Sequence, residues 1–350
     1  MADFASSNGK KTQNIIVIGA SAGGVETLVK LVESLPSDLE AAIFIVVHFP
    51  AHAVSVLPNI LNRVKKLPAQ AATDRAPIQT HQIYTAQPDY HLLIERDRIR
   101  LKHDARENGH RPAIDALFRS AAYADDGRVI GVILTGTLDD GVAGLLTIKA
   151  RGGYTIVQDP DEALFSGMPR NAIKAVQVDA VLPVRDIAAR LCKLVNTPIP
   201  DKPQKKIMAE EISQEREWVA KEKSAIEQGE RSGYASAFTC PDCGGVLWEL
   251  KDKHLMRYRC HVGHAYSIDS LLAEKDNDLE RALWTANRSL EEKAALARRM
   301  ATQAKRSNHP ISEAQFLERA EEAEKHAAVL KQVLLQQIEL KARIEENNLD

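Results

Sequence analysis

The sequence has no long hydrophobic run, and its first dozen residues, Met1 to Thr12, lack the apolar core of an export signal. We therefore predict a cytoplasmic protein without membrane insertion. Charge of one sign is not in excess either, since the formal net charge is −2 over 350 residues. A chain this close to neutral offers no electrostatic basis for nucleic acid as its main partner.

Cysteine is scarce, with four residues in the whole chain. In a cytoplasmic protein, so few cysteines indicate metal binding or free thiols rather than disulfides. One of them, Cys192, lies on an amphipathic helix pattern and is predicted to be a core residue. Aromatic residues make up only 5% of the chain, whereas the hydrophobic share of 44% is ordinary for a globular protein. The length permits two or three domains.

Strand-like and helix-like patterns alternate over residues 14–195. This alternation predicts an α/β domain, with a doubly wound and mostly parallel sheet and an antiparallel hairpin around Glu95–Asp97. Prolines then mark a linker with a charged helix at 196–237. A cysteine module follows at 238–268, and residues 269–350 show the spacing of a helical hairpin or coiled coil. These helices are expected to mediate homo-oligomer formation, to dock a signalling partner, or simply to stabilise the chain.

The first predicted strand, Ile15–Ile18, runs into a glycine turn at Gly19–Gly24. Such a turn can hold a phosphate at a helix N-terminus, raise a serine nucleophile above the sheet, or be purely structural. The dinucleotide fingerprint is incomplete, because Ser21 stands at its second glycine position. The second predicted strand ends at His48 rather than at the acidic residue that a ribose requires, and a histidine suits a general base.

A third predicted strand, Val129–Leu134, leads to the pair Asp139 and Asp140. Parallel strands end at one edge of a sheet, so Ser21, His48 and Asp140 can act as nucleophile, base and orienting carboxylate. Simpler explanations are a buried structural histidine, a helix N-cap at Asp140, or a Mg²⁺ site at the aspartate pair. The chain order of serine, histidine and aspartate differs from that of α/β-hydrolases, chymotrypsin and subtilisin.

Five segments, in order, resemble the catalytic domain of the chemotaxis methylesterase family CheB: IIVIGASAGGVETL, IVVHFPAH, HRPAIDALFRSAA, VILTGTLDDGVAGL and FSGMPRNAI. The resemblance covers residues 14–195. It implies that Ser21 is the nucleophile, His48 the base and Asp140 the carboxylate of a triad. The implied reaction is hydrolysis of glutamyl methyl esters on methyl-accepting chemoreceptors, together with deamidation of particular glutamines.

The oxyanion hole is predicted to use two backbone N–H groups, those of Ala22 and Thr137. In the family, the aspartate turn reads T-G-M-G-x-D-G, and here Thr137 and Leu138 replace its methionine and second glycine. A backbone donor survives a change of side chain, so we expect the hole to persist. The lost glycine can still change the turn, and with it the rate or the choice of substrate.

Arg111 resembles a family position near the site, where it can orient the acidic side chain of the substrate. The alternative is a salt bridge to Asp115 on the next helical turn. The neighbouring His110 is predicted to lie on the surface. The chain begins directly at the catalytic domain, so the family's N-terminal receiver domain, and control through its phosphorylation, are not expected.

The cysteine module has the spacing of a zinc ribbon, Cys240-x2-Cys243, a 16-residue gap, and Cys260-x3-His264. Three thiolates and one imidazole suit a tetrahedral Zn²⁺ with no open position, so the site is predicted to be structural. His261 is the alternative fourth ligand. A similar ribbon followed by helices occurs in some CheB-like proteins that lack the receiver domain.

Overall fold

A computed structural model describes residues 14–50, 52–124, 128–197, 233–250 and 255–347. The chain divides into two compact units, the first ending at Leu271 and the second beginning at Leu272. The charged helix predicted for the linker lies outside the described residues. No helix in the described part of the chain is long and apolar enough to span a membrane.

The first unit is built on a sheet whose strands are all parallel. Its strands are β1 (Asn14–Ala20), β2 (Ala41–Val47), β3 (Ala69–Ala71), β4 (Gln82–Thr85), β7 (Arg128–Ile133), β8 (Tyr154–Gln158) and β9 (Ala180–Leu182). A separate antiparallel hairpin consists of β5 (His91–Glu95) and β6 (Arg98–Lys102). The predicted parallel sheet and hairpin are therefore confirmed.

Helices cover both faces of this sheet. They are α1 (Gly24–Glu33), α2 (Leu57–Asn62), α3 (Ile114–Ala124), α4 (Val142–Ala150), α5 (Gly167–Ala175) and α6 (Val184–Asn196). Side chains of β1 alternate between the two faces of the sheet. Ile16 and Ile18 pack with α1 and α6 on one face, whereas Ile15 and Val17 pack with α3, α4 and α5 on the other. Two buried faces explain why β1 and β2 are nearly continuous apolar runs. Cys192 of α6 packs against the first of these clusters.

The strand order is β3–β4–β2–β1–β7–β8–β9. β1 has β2 on one side and β7 on the other, so the direction of winding reverses at β1. In open α/β sheets, ligands bind beyond the carboxyl ends of the strands at such a reversal. The residues that follow β1, β2 and β7 therefore occupy the expected place for a site.

The cysteine module is a small antiparallel sheet made of β10 (Tyr234–Thr239), β11 (Val246–Glu249), β12 (Arg257–Cys260) and β13 (Ala265–Ser267). Only its middle two strands are predicted from the sequence. The outer strand β13 also contacts the loop between β6 and α3. Ala265 accepts a hydrogen bond from the Asn108 N–H at 2.7 Å and donates one to the Arg106 carbonyl at 3.2 Å. The module and the α/β domain therefore lie in one compact unit.

Two long helices follow, α7 (Ile268–Arg306) and α8 (Pro310–Asn347). The first turn of α7 belongs to the first unit, and the rest of the pair forms the second. Arg298 of α7 donates two hydrogen bonds to Glu324 of α8, both at 2.7 Å. Buried alanines recur at intervals of three and four on both helices: Ala294, Ala297, Ala301, Ala304, Ala320, Ala323 and Ala327. The predicted helical hairpin is confirmed.

Candidate active site

The three residues of the predicted triad meet at the carboxyl edge of the large sheet. Ser21 follows β1, His48 follows β2, and Asp140 lies in the turn between β7 and α4. The Nδ1 atom of His48 lies 3.1 Å from Ser21 Oγ, and its Nε2 atom lies 2.8 Å from Asp140 Oδ2. With its proton on Nε2 bound to the carboxylate, the ring presents Nδ1 as an acceptor for the serine proton.

The serine turn is held against the end of β7. The Ser21 N–H donates to the Thr135 carbonyl at 3.0 Å, and the Thr135 hydroxyl donates to the Ala22 carbonyl at 3.0 Å. Gly136 makes this close approach feasible, since a Cβ there would lie 2.9 Å from Ser21 Cβ and would clash with Met168 Sδ. The two glycine turns recognised in the sequence therefore pack directly on each other.

Asp140 is buried and receives a full set of hydrogen bonds. Besides His48, its donors are the N–H of Ile114 at 2.7 Å, the N–H of Asp115 at 3.2 Å and Asn108 Nδ2 at 3.0 Å. The two backbone donors belong to the first turn of α3, where the helix dipole favours negative charge. Burial alone raises the pKa of Asp140, but His48 and the Ile114 N–H outweigh it and hold the pKa below its usual value.

The alternative roles considered for the aspartate pair do not match the structure. The N-cap position of α4 is Gly141, whose φ of 95° is left-handed, and not Asp140. Asp139 accepts hydrogen bonds from the hydroxyls of Ser267 at 2.6 Å and Ser270 at 2.7 Å. It is thus occupied by protein hydroxyls rather than placed as a metal ligand.

Asp115 is a second buried carboxyl beside the triad. Its Oδ1 accepts the Gly144 N–H at 2.6 Å, and its Oδ2 accepts from Asn108 Nδ2 at 3.0 Å. Burial, followed by the negative charge of Asp140, raises the pKa of Asp115 to about 7. One carboxyl of this pair is therefore ionised while the other keeps a proton up to neutral pH. From the sequence alone, the one role predicted for Asp115 is a salt bridge to Arg111.

Asn108 bridges the two carboxyl groups, and sequence reasoning missed it. Its Nδ2 donates to both Asp115 and Asp140, and its Oδ1 accepts the Ser267 N–H at 2.9 Å. Asn108 has a left-handed backbone with a φ of 52°. The one signal for it in the sequence is the Asn108–Gly109 pair, which indicates a turn and nothing about a site.

His110 is not the surface residue that the sequence predicts. Its ring meets the His48 ring edge-on, with the centroids 3.7 Å apart. The reason is a tight turn in which Glu107 and His110 exchange backbone hydrogen bonds of 3.1 and 2.9 Å, which directs the His110 ring onto the triad. Burial, together with the charge of His48, lowers the pKa of His110 to about 3, so this ring is neutral.

Arg111 does not form the alternative salt bridge to Asp115. Its Nε and Nη2 atoms bind Asp89 at 2.9 and 2.6 Å, and its Nη1 donates to the Asp104 carbonyl at 2.7 Å. Asp115 points instead into the interior beneath Asp140. Hydrogen bonds from Arg111 and His103 hold the pKa of Asp89 below its usual value. A contact between Arg111 and the substrate stays a prediction.

The turn with the predicted oxyanion donors keeps an unusual backbone. Leu138 adopts a φ of 59°, a left-handed conformation that suits the glycine of the family motif. The Leu138 carbonyl accepts a hydrogen bond from Asn171 Nδ2 at 2.9 Å. Ala22 directly follows Ser21, and Thr137 directly follows Gly136, so both predicted donors lie next to the contact between the two turns. Their role in an oxyanion hole stays a prediction.

The cysteine module gathers Cys240, Cys243, Cys260 and His264, whose ligand atoms all lie within 4.8 Å of one another. The Cys243 and Cys260 sulfurs are 3.6 Å apart, and His264 Nδ1 lies 3.6 and 3.5 Å from the sulfurs of Cys240 and Cys260. Zn–S bonds of about 2.3 Å and a Zn–N bond of about 2.1 Å give tetrahedral edges of about 3.8 and 3.6 Å, which these spacings match. The alternative ligand His261 is exposed and is not part of this group.

Comparisons with known proteins agree with the geometry. The family model of CheB methylesterase matches residues 16–191, a range that contains all three triad residues. A protein-glutamate methylesterase/protein-glutamine glutaminase of Oleidesulfovibrio alaskensis is 37% identical over 192 residues, which are 54% of each chain. A Leptospira interrogans protein, whose name provisionally assigns it the same two activities, is 39% identical over 51% of this chain and 93% of its own.

A solved structure extends the match to three dimensions. The CheB methylesterase catalytic domain of Thermotoga maritima is 31% identical and superimposes with a TM-score of 0.51, over 52% of this chain and 99% of that domain. The chain spans about half the length of several curated relatives, including 50% of a Rhizobium johnstonii protein. Because the family model matches half of the chain and the Leptospira relative is matched over 93% of its own length, the chain belongs to the CheB methylesterase family.

Proposed function

We propose that this chain is a serine esterase that hydrolyses glutamyl methyl esters on a chemoreceptor-like protein. The observation that carries the proposal is the position of His48, which lies between Ser21 Oγ at 3.1 Å and Asp140 Oδ2 at 2.8 Å. The names of the relatives supply the substrate class, and they also name deamidation of glutamine as a second reaction. Both reactions replace a leaving group on the same side-chain carbonyl carbon.

In the proposed mechanism, Ser21 Oγ attacks the ester carbonyl while His48 Nδ1 takes the serine proton. The carbonyl oxygen becomes an oxyanion, for which the N–H groups of Ala22 and Thr137 are the proposed donors. His48 then protonates the departing methoxide, so methanol leaves and the glutamyl group remains on Ser21. Water, deprotonated by His48, hydrolyses this acyl-enzyme to a free glutamate and restores the serine.

The ionised state of Asp140 supports this role. A carboxylate with a lowered pKa stabilises the positive charge that His48 acquires in each step. The four donors around Asp140 also fix its orientation, so the His48 ring keeps one tautomer. Neutral His110, packed against the His48 ring, adds bulk that shields the ring without competing for its proton.

Substitution of the nucleophile gives the direct test. Methanol released from membranes with methylated receptor is measured for the wild-type protein, for Ser21→Ala, and for Ser34→Ala as the matched control. Ser34 is an exposed serine at the end of α1. We expect Ser21→Ala to lose at least about 10³-fold in rate, as for removal of other serine nucleophiles, and Ser34→Ala to match the wild type. Full activity in Ser21→Ala would refute the mechanism.

Two alternatives remain distinct from this proposal. The first is a scaffold that descends from the esterase and no longer catalyses, and the second is an esterase for a different substrate. A fluorophosphonate probe, which reacts with an activated serine, separates the first from the other two. Labelling that Ser21→Ala abolishes excludes the scaffold, and labelling without methanol release favours the different substrate.

We also propose that the cysteine module binds one structural Zn²⁺ through Cys240, Cys243, Cys260 and His264. When bound, the ion holds the two knuckles of the module together, and with four protein ligands it leaves no position for catalysis. Metal analysis of the purified protein is expected to find about one zinc per chain. Cys260→Ser should lose most of it, whereas the control Cys192→Ser, on α6 of the α/β domain, should retain it.

A further inference from the structure

The loop between β6 and α3 joins the triad to the cysteine module. Glu107 anchors this loop to α3, because both of its carboxylate oxygens accept hydrogen bonds from Arg119 Nη2, at 2.7 and 2.6 Å. The pair is largely buried, with 15% and 14% of the two side chains exposed. The charge of Arg119 opposes the effect of burial and lowers the pKa of Glu107 to about 2. The residue at the tip of this anchored loop is Asn108.

Asn108 makes hydrogen bonds both to the buried carboxyl groups at the triad and to strand β13 of the cysteine module. Its Nδ2 donates to the triad carboxylate Asp140 and to Asp115, whereas its Oδ1 and its backbone N–H bind Ser267 and Ala265 of β13. The side chain is buried, at 5% exposed. The short amide of asparagine has an NH2 donor and a carbonyl acceptor side by side, and asparagine also tolerates a left-handed backbone.

The strand that binds Asn108, β13, starts immediately after a proposed metal ligand. His264 is the fourth member of the cysteine group, and the next residue, Ala265, makes both backbone contacts to the loop. The knuckle is closed by the Cys260 N–H, which donates to the His264 carbonyl at 2.9 Å. The position of β13 against the loop therefore depends on the geometry of this knuckle.

A second link runs beside the first. Ser267, the last residue of β13, and Ser270, in the first turn of α7, donate their hydroxyls to Asp139, the residue directly before the triad aspartate. The same end of the module thus contacts the backbone neighbour of Asp140 and, through Asn108, the carboxylate itself. Ser267 takes part in both links, through its N–H to Asn108 and its hydroxyl to Asp139, so one end of the module is linked to two adjacent residues of the aspartate turn.

We propose that Asn108 is a positioning residue for the triad, and that the metal-closed ribbon holds Asn108 in place and so sets the reactivity of Ser21. The inference rests on the proposed esterase function. It assigns the ribbon a role in the reaction, although no ligand of the metal group touches the triad in the described structure. The link is the path His264, Ala265, Asn108, Asp140 and His48.

The first test removes the side chain without straining the backbone. Asn108→Gly keeps the left-handed conformation, and Asn308→Gly is the matched control, since Asn308 has a φ of 57° in the turn between α7 and α8. The rate of Ser21 labelling by the fluorophosphonate probe is measured at pH 8. We expect Asn108→Gly to lower it about 10- to 100-fold, the loss of one hydrogen bond to a charged group, and Asn308→Gly to leave it unchanged. Equal rates in the two variants would overturn the proposal.

The second test uses a readout that a merely structural role would not move. Asn108→Gly removes the Nδ2 donor from the Asp140 carboxylate and adds no titratable group. An Asp140 carboxylate with one donor fewer interacts more strongly with protonated His48, so the midpoint of the labelling rate against pH should shift upward. The titratable groups around Asp140 and His48 are Asp115, Asp139, His110, Arg106, Arg119 and Arg257. A midpoint equal to that of the wild type would overturn the role of Asn108.

The third test asks whether the metal acts through Asn108. Zinc-loaded and chelator-treated full-length protein are compared by hydrogen exchange of the peptide that contains residues 104–110, and by the labelling rate. Chelation should raise exchange in this loop and slow labelling in the wild type, yet slow labelling little further in Asn108→Gly, because the link is already broken. Unchanged exchange, or an undiminished effect of chelation in Asn108→Gly, would overturn the link.

The two proposals fail in different ways. If the wild-type protein is not labelled at all, the esterase function fails and the loop exchange experiment still reports whether the ribbon orders the loop. If the wild type is labelled and Ser21→Ala is not, while Asn108→Gly labels at the wild-type rate, the esterase function stands and the positioning role is refuted.

Discussion

Leu138 holds a backbone conformation that side-chain-bearing residues avoid. Its φ of 59° brings Cβ close to the following carbonyl, at a cost of about 1–2 kcal/mol for an L-residue. The side chain is 36% exposed, so burial of leucine repays only part of that cost. The Asn171 amide donates a hydrogen bond to the Leu138 carbonyl, and Gly167 allows a close approach to the turn, since a Cβ there would lie 3.3 Å from the Leu138 nitrogen. The left-handed backbone therefore places strain at the position where Leu138 replaces the glycine of the family motif.

Leu138→Gly should relieve this strain. We expect the free energy of unfolding to rise by about 1 kcal/mol, less any entropy that the glycine gains in the unfolded chain. Urea denaturation measures it. Leu164→Gly is the control, because Leu164 is likewise exposed, at 63%, and does not have a positive φ among the described residues. The control should not gain stability, and a loss of stability in Leu138→Gly would contradict the strain.

The buried pair Asp115 and Asp140 gives the protein a pH-dependent stability. The pKa of Asp115 is raised to about 7 in the folded state, from about 3.9 in the unfolded chain. Between these two values the folded state binds the proton and the unfolded state does not, so this group lowers stability as the pH rises from 4 to 7. Asp140, with its lowered pKa, acts in the opposite direction and contributes stability that is lost only in acid.

Asp115→Asn removes the first of these effects. The free energy of unfolding of the variant minus that of the wild type should be about 1–3 kcal/mol larger at pH 8 than at pH 5. The value of this difference at pH 5 itself does not matter. Denaturation curves at the two pH values measure the difference. Asp97→Asn, at an exposed carboxyl in the β5–β6 turn, is the control and should show no such trend. A constant difference between wild type and Asp115→Asn would show that Asp115 is ionised throughout.

The contrast between predicted and missed site residues has a structural reason. Ser21, His48 and Asp140 could be anticipated because each follows a buried parallel strand, and strand ends share an edge. Asn108 and His110 come from a loop between the hairpin and α3, where no periodicity relates a residue to the sheet. Their contacts depend on the Glu107–His110 turn, which the sequence does not specify.

At the scale of elements, the long apolar and alternating segments were predicted and the short ones were not. β1 and β7 follow directly from β-branched runs, and the alanine spacing identifies α7 and α8. β13 spans only Ala265–Ser267, which is too short to show alternation. It pairs with β12 in the ribbon and with Glu107 in the loop between β6 and α3. Such a strand becomes visible only when its neighbours are known.

The packing of α7 against α8 in the second unit depends on small side chains in the seam, which is the row of buried alanines between the two helices. Ala320 and Ala323 are fully buried on α8, so any larger side chain there must push the helices apart. We expect Ala320→Leu to destabilise the pair by about 1–3 kcal/mol, the usual cost of overpacking. Ala295→Leu, on an exposed position of α7, is the control and should have little effect. Helicity followed by circular dichroism during thermal unfolding measures both.

An increase in stability for Ala320→Leu would contradict a closely packed seam. It would indicate that the alanines face a cavity which leucine fills. The Arg298–Glu324 pair offers little support of its own in either case, because half-exposed ion pairs are screened by solvent.

At the scale of the whole molecule, the ribbon and the α/β domain lie in one compact unit. The contacts that join them include the backbone hydrogen bonds of Ala265 to Arg106 and Asn108, the Asn108–Ser267 hydrogen bond and the two serine hydroxyls on Asp139. Local patterns cannot reveal such contacts, because they join residues more than a hundred positions apart, such as Asn108 and Ser267. Loss of the ribbon's order should therefore reach the α/β domain.

Metal removal tests this integration through stability. If Zn²⁺ closes the ribbon, a strong chelator should lower the thermal midpoint of unfolding by about 5–10 °C, since the metal binds only the folded module and β13 loses its support. Cys260→Ser should already have the low midpoint and respond no further to the chelator. Cys192→Ser, which keeps all four proposed ligands, should respond as the wild type does. Readdition of Zn²⁺ should restore the wild type and Cys192→Ser but not Cys260→Ser. A midpoint unaffected by chelation in protein shown to have lost its metal would mean that the ribbon keeps its fold without the ion, and that the hydrogen bonds to Asn108 and Asp139 suffice to hold it.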